Sequence, residues 1–439
     1  MSFTTDKQTL ADLNLLGKYK PNSVYSIFNK VRTAGGERLL QEMFQHPLSS
    51  PEQINQRSNL FRYFQEKKTS FSFDCQAFVK MEAYFNSSGN SSKLLGTAHM
   101  GWLKFASSFL RDEQYEYIHK GLLATIEVLN AFREFVNSME QDMHSAYAEE
   151  KQAIVDVFKD KRLQELLEDR YTQRFSYWKV AGYDHLLKYT LQQEMEFLLS
   201  SMYRLDVYLM VSSVASQHNF SYALALPGAE LSIRAYGLRH PALPDGVGNA
   251  VNFNKDQNLL FLTGANMAGK STLMKACGIA VYLGHMGFPV AAKDMSFSVM
   301  DGIYSSINVA DDLNMGLSHF YAEVLRVKNV ALEVASGKKL LVLFDELFKG
   351  TNVKDAYDGT LSVTVAFSKY RNCCFIVSTH IIEVGEALKQ EGRHISFAYL
   401  PTVMNGHIPS YTYQLKEGIT ADRQGMLIIE NESILNELA

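Results

Sequence analysis

The run Gly264-Ala265-Asn266-Met267-Ala268-Gly269-Lys270-Ser271-Thr272 fits the pattern G-x-x-x-x-G-K-[ST], a phosphate-binding P-loop. An apolar strand-like stretch, Leu259 to Thr263, precedes it and helical sequence follows, which is the context the motif requires. The glycines let backbone N–H groups turn toward phosphates, and the helix N-terminus adds its positive dipole end. Lys270 can reach the terminal phosphates and Ser271 can hold Mg²⁺, so all nine residues are candidates for contact with a nucleotide such as ATP.

Two further clusters stand at the ends of strand-like runs. Leu340 to Phe344 leads into Asp345-Glu346, where Asp345 can complete a Mg²⁺ shell and Glu346 can orient or deprotonate the water that attacks the γ-phosphate. Alone, such a pair reads as a solvated strand end; behind a P-loop in one sheet it reads as catalytic. Phe375 to Ser378 leads into Thr379-His380, which puts His380 at the edge where open α/β folds bind ligands, as a γ-phosphate sensor. A lone histidine is more often structural, so this role depends on the other two clusters. Between them, Asp311 to Glu323 is a polar loop opening a helix, and its Ser318 suits either an anion or a plain helix cap.

These residues need a sheet to align them. After about Phe220, apolar runs at 259–263, 339–344 and 373–378 alternate with helical stretches, as in an α/β unit with a parallel sheet. Upstream the chain reads as helices, with starts at Thr33 and at Ser50-Pro51. From about Tyr115, Ile118, Leu122, Ile126, Leu129, Phe132, Val136, Met139, Met143 and Tyr147 predict one long amphipathic helix. Leu187, Leu191, Met195, Leu198, Met202, Leu205 and Leu209 form a coiled-coil seam on a second. The two are expected to pair antiparallel, as a bundle or as a mechanical arm. Between them, 163–184 leaves room for a reversal and a short strand over 175–180.

The expected division is a helical core over 1–110, a pair of long helices with a short reversal between them over 111–219 and an ATPase domain over 220–439, an α plus α/β chain. The 439 residues accommodate these parts, and 46% hydrophobic with 21% charged residues excludes wholesale disorder. Net charge is −4, so a nucleic-acid role needs a local basic patch, and no run of lysines and arginines interleaved with exposed aromatics stands out. Cys75, Cys277, Cys373 and Cys374 have no metal or redox spacing and read as reduced. No leader or membrane span is recognised, and the cytoplasm is the expected location.

The order of P-loop, serine loop, Asp-Glu strand, Gly350-Thr351-Asn352 and strand-terminal histidine is that of ABC-type ATPases. The wording T-G-A-N-M-A-G-K-S-T, G-L-S-H-F-Y-A-E, L-V-L-F-D-E-L-F-K-G-T-N and S-T-H resembles the ATPase domain of the MutS family of DNA mismatch repair proteins. Gly237-Leu238-Arg239-His240-Pro241 is similar to that family's G-R-H-P element, and Asp12 to Leu48 to the start of its helical core. The resemblance implies a homodimer with ATP and Mg²⁺ between subunits, Ser318 touching the γ-phosphate in trans, and helical levers coupling ATP state to DNA.

Ala265, His319 and Phe348-Lys349 depart from the family's usual residues, the last in the segment that would face the partner subunit. No space is seen for the family's mismatch-reading and connector domains, and Phe64-Gln65-Glu66 is read as a chance match to the mismatch-wedging Phe-x-Glu in a chain with 27 phenylalanines. Two functions follow as expectations: a MutS-like ATPase acting on DNA, or a nucleotide-gated factor that assembles with another protein and binds no DNA. Phe253 is a candidate to stack on adenine or to fill the core.

Overall fold

In the computed structural model, residues 3–17, 22–71, 74–86, 108–140, 145–227, 230–307, 319–391, 394–405 and 408–420 are described. They form two compact units, one of Met1–Phe28, Met43–Asn59 and Val214–Ala439, the other of Asn29–Glu42 and Leu60–Ser213. Packing thus draws residues from the beginning of the first sequence segment into the unit that holds the sheet.

The first unit is built on a seven-stranded sheet. Its order is Thr4–Thr5, Gly302–Ser306, Leu340–Asp345, Cys374–Ser378, Leu259–Gly264, Ile395–Leu400 and Lys416–Glu417, with every pairing parallel except the last. Leu259–Gly264 and Cys374–Ser378 are buried throughout and Leu340–Asp345 is buried as far as Phe344, the signature of strands covered on both faces. Asp345 pairs with Ser378, and Ser378 with Leu262, so these strands end in step at one edge. Phe367 from the helix Val353–Ser368 packs on Phe344 and Phe375, with ring centroids 5.5 and 5.2 Å apart.

Helix Lys270–His285 follows the strand Leu259–Gly264 and is buried along most of its length. Its far end sits in a cluster where Phe288 meets Phe28 at 5.4 Å and Phe44 at 5.6 Å. A smaller four-stranded sheet has the order Leu224–Leu226, Asp294–Ser298, Ser232–Leu238, Asn249–Asn254. Phe253 is only 1% exposed there and fills the core.

The second unit is helical. Thr33 caps helix Ala34–Gln45 as its sequence predicts: its hydroxyl oxygen accepts the Gly36 N–H at 3.0 Å and donates to the buried Asp206 carboxylate at 2.7 Å. Ser50, which belongs to the first unit, likewise precedes Pro51–Lys67 and accepts from the Gln53 N–H at 3.4 Å. All seven residues of the second stripe are buried: Leu187 on the π-helical turn Leu186–Thr190, Leu191 directly after it, and the other five on helix Gln192–His218.

Three expectations change here. The first stripe is not one helix: Ser108–Ser138 ends at Ser138, whose hydroxyl donates to the Phe135 carbonyl at 2.7 Å, and a new helix runs Ala148–Val157. Met143 lies outside the described residues. The tightest neighbour of Ser108–Ser138 is Cys75–Asn86 rather than the other striped helix, because Gly121 leaves space for Tyr84; a Cβ on Gly121 would lie 2.6 Å from the Tyr84 Cβ. The strand expected over 175–180 is replaced by helix Tyr177–His185, since Tyr177, Trp178 and Lys179 are exposed in succession and do not alternate. Phe64 is buried against Tyr147 and Tyr208, at 5.0 and 5.7 Å, which agrees with its reading as a core residue.

Candidate functional site

The loop after Leu259–Gly264 turns through backbone conformations that only some residues tolerate. Gly264 has φ +146° and Gly269 +100°, whereas Met267 takes φ +68° with its side chain 76% exposed. The non-glycine at +68° holds a sparsely populated conformation, which costs of order 1 kcal/mol and concentrates at functional turns. Ala268 is buried and its N–H donates to the Ala265 carbonyl at 3.3 Å, which closes the turn. Gly269 precedes helix Lys270–His285, so Lys270, Ser271 and Thr272 form its first turn.

Lys270 is 5% exposed, and its ammonium donates to the carbonyls of Gly264 and Ala265 at 2.9 and 3.1 Å. Burial pulls its pKa down, partly offset by the nearby charges of Asp345 and Glu346. Asp345 is held from both sides: the Ser271 hydroxyl donates to Oδ2 and the Ser378 hydroxyl to Oδ1. Glu346 sits one residue beyond the strand at φ +52°, fixed by its N–H on the Ser378 carbonyl at 2.9 Å. His380 Nε2 lies 2.6 Å from Glu346 Oε1, and this hydrogen bond, foremost among several causes, lowers the Glu346 pKa.

The parallel register thus brings Lys270, Ser271, Asp345, Glu346 and His380 together from three strand ends. Ser318 lies outside the described residues. Phe253 does not reach this edge, and Phe348 turns inward instead of outward: it is 6% exposed, with its ring 6.1 Å from Phe320.

Beside the loop lies a cavity of about 600 Å³, lined among others by Arg239, His240, Asn249, Met267, Gly269 and Tyr413. A Cβ on Gly269 would stand 3.1 Å from Tyr413 Cδ1, so the ring closes over the loop. Tyr413 is itself at φ +54°, and its carbonyl accepts from Asn249 Nδ2 at 3.0 Å. Sequence reasoning missed Tyr413 and Ser378. Tyr413 carries no local signal, being brought in from 144 positions beyond Gly269, but Ser378 stands directly before the singled-out Thr379-His380.

Residues 8–241 match the family model for MutS domain III, and residues 260–437 that for MutS domain V. The chain belongs to the MutS family. It is 32% identical over 209 residues to the DNA mismatch repair protein MutS of Oceanobacillus iheyensis, a match that covers 46% of this chain and 23% of that protein. The chain therefore spans about a quarter of the length of this relative. Among the described residues no helix is long and apolar enough to cross a membrane.

Proposed function

We propose that this MutS-family chain is an ATPase that binds and hydrolyses ATP with Mg²⁺ at residues 264–272 and couples that cycle to DNA. The observation that carries this reading is the meeting of Lys270, Ser271, Asp345, Glu346 and His380 at one sheet edge. The donors suit the ligand. A buried ammonium whose hydrogen bonds go to its own loop's carbonyls gains a better partner in a phosphate, and a hydroxyl with a carboxylate is an oxygen set that magnesium accepts.

Ser271 and Asp345 would hold the magnesium ion, which supplies charge neutralisation on the phosphates. Lys270 would leave the loop carbonyls for the terminal phosphates, and the amides of 265–270 would cradle the rest. Glu346, kept ionised by His380, would orient the attacking water and accept its proton, with His380 free to turn toward the γ-phosphate. Tyr413 would stack on the base in the adjoining cavity.

In this reading two copies pair as a homodimer, and Ser318 of each meets the nucleotide of the other; motif order alone supports that part. The name of the related protein supports DNA mismatch repair, or a related DNA transaction, as the setting, and a further protein partner is compatible with it. Lys270→Ala tests the nucleotide site. Losing charge-assisted hydrogen bonds of about 1.5–3 kcal/mol predicts a roughly 10- to 150-fold weaker ATP affinity by equilibrium titration. Wild-type affinity and phosphate release in the variant would remove the assignment.

A further inference from the structure

Residues 170–179, Arg-Tyr-Thr-Gln-Arg-Phe-Ser-Tyr-Trp-Lys, contain three cations, four aromatic rings and no carboxylate. Folding leaves the two largest ring faces in solvent: Tyr171 is 80% exposed and Trp178 81%. The Arg170 guanidinium lies over the Tyr171 ring, 4.7 Å from its centroid, and Tyr177 is half-exposed beside Trp178 on the first turn of helix Tyr177–His185. Ser176 gives that turn no side-chain cap.

The surface is anchored from beneath. Phe175 is buried; its N–H donates to His119 Nε2 at 3.2 Å, and its carbonyl accepts from the Tyr115 hydroxyl. The Asp169 carboxylate takes Lys179 Nζ at 2.6 Å and the Tyr183 hydroxyl at 2.5 Å, which ties the turn Asp169–Tyr171 to the helix. Each cation has a carboxylate from a neighbouring position: Glu134 on Arg170 at 2.7 Å, Glu116 on Arg174 at 3.9 Å and Asp169 on Lys179. Exposed pairs of this kind are weak and readily exchanged for phosphates; the Arg174 side chain is 79% exposed.

We propose that this surface is a stacking platform for single-stranded nucleic acid, with unpaired bases on Trp178 and Tyr171 and phosphates on Arg170, Arg174 and Lys179. Flat, exposed rings among cations, in a stretch free of acids, are what a polyanion with accessible π-faces recognises. The inference rests on the reading of a DNA-coupled ATPase and deepens it, by naming unpaired bases as what the helical unit holds. It also corrects the expectation that no such run exists: the run is short and is hidden in a chain of negative net charge.

The test is fluorescence anisotropy of the full chain with labelled oligo-dT and with a duplex of the same length, across a salt series without ATP. The expected result is oligo-dT binding whose logarithm falls with log salt at a slope of about −2, from three phosphates at about 0.7 each. Trp178→Ala should weaken it about 5- to 150-fold, Trp178→Phe much less, and ATP turnover without DNA should not change in either. Equal affinity of wild type and Trp178→Ala for oligo-dT overturns the proposal. So does duplex binding without oligo-dT binding, which leaves the DNA-coupled ATPase standing. Phosphate release without binding of either DNA overturns both the platform and the coupling to DNA.

Discussion

His285 closes the helix whose other end carries Lys270, and it is completely buried as a neutral ring. Nδ1 lies 2.8 Å from the Leu48 carbonyl, and Nε2 accepts the Met300 N–H at 3.2 Å, so one tautomer satisfies both groups. A second proton would face a donor. Burial pushes the pKa down from 6.5 to about 4, against smaller opposing effects of Leu48 and Asp301. A depressed histidine pKa means the stabilisation is complete above pH 6.5 and is lost as pH falls from there toward 4. The loss amounts to about 2 kcal/mol at a pH of about 5, and about 3 kcal/mol at its limit. The assay compares urea unfolding near pH 7.5 and near pH 5 in wild type and His285→Leu, followed by hydrogen exchange in helix Lys270–His285. Removing the ring leaves two backbone groups unpaired, so the variant starts about 2–6 kcal/mol lower. Its acid-induced loss should nevertheless be smaller by about 2 kcal/mol, other titrating groups cancelling in the difference. Equal losses in both proteins would refute the reasoning.

Other expectations follow from the site and the helical unit. Glu346→Ala should keep ATP affinity while single-turnover hydrolysis slows about 10²- to 10⁴-fold; unchanged turnover would remove Glu346 from the chemistry. Tyr413→Ala should weaken nucleotide binding about 2- to 12-fold through the lost ring contact, with little change in kcat, and equal affinity by titration would put the base elsewhere. Gly35→Ala would place a Cβ 2.2 Å from Tyr203 Cζ, whose hydroxyl is fixed on Glu82 at 2.7 Å. We expect about 1–3 kcal/mol of destabilisation by overpacking, read as a lower melting temperature, and an unchanged melt would mean the ring yields freely.

What could be read from residue order was whatever depends on near neighbours. The apolar runs ending at Gly264, Asp345 and Ser378 declare buried parallel strands, and such strands must align their ends. The caps at Thr33 and Ser50 were equally local. Groups joined only by the fold were not legible. Tyr413 reaches Gly269 across the fold, and Phe348 turns inward at φ +62°, a conformation its type does not advertise. Periodicity misled at two places: the stripe through Tyr147 crosses a helix break after Ser138, and residues 175–180 look like an alternating strand although Tyr177 and Trp178 are exposed side by side.

The pairing of Thr4–Thr5 with Gly302–Ser306 also sets a timetable for synthesis. Thr4 Oγ1 donates to the Asp301 carbonyl at 3.0 Å across 297 positions, and its own carbonyl leaves space for nothing larger than Gly302. At about 5–20 residues per second, a ribosome needs roughly 15–60 s between these two points. Throughout that interval the earlier strand has no partner, so the sheet of this unit cannot be completed in the order in which its chain emerges. This short segment therefore joins the sheet only after the strand it flanks has been made.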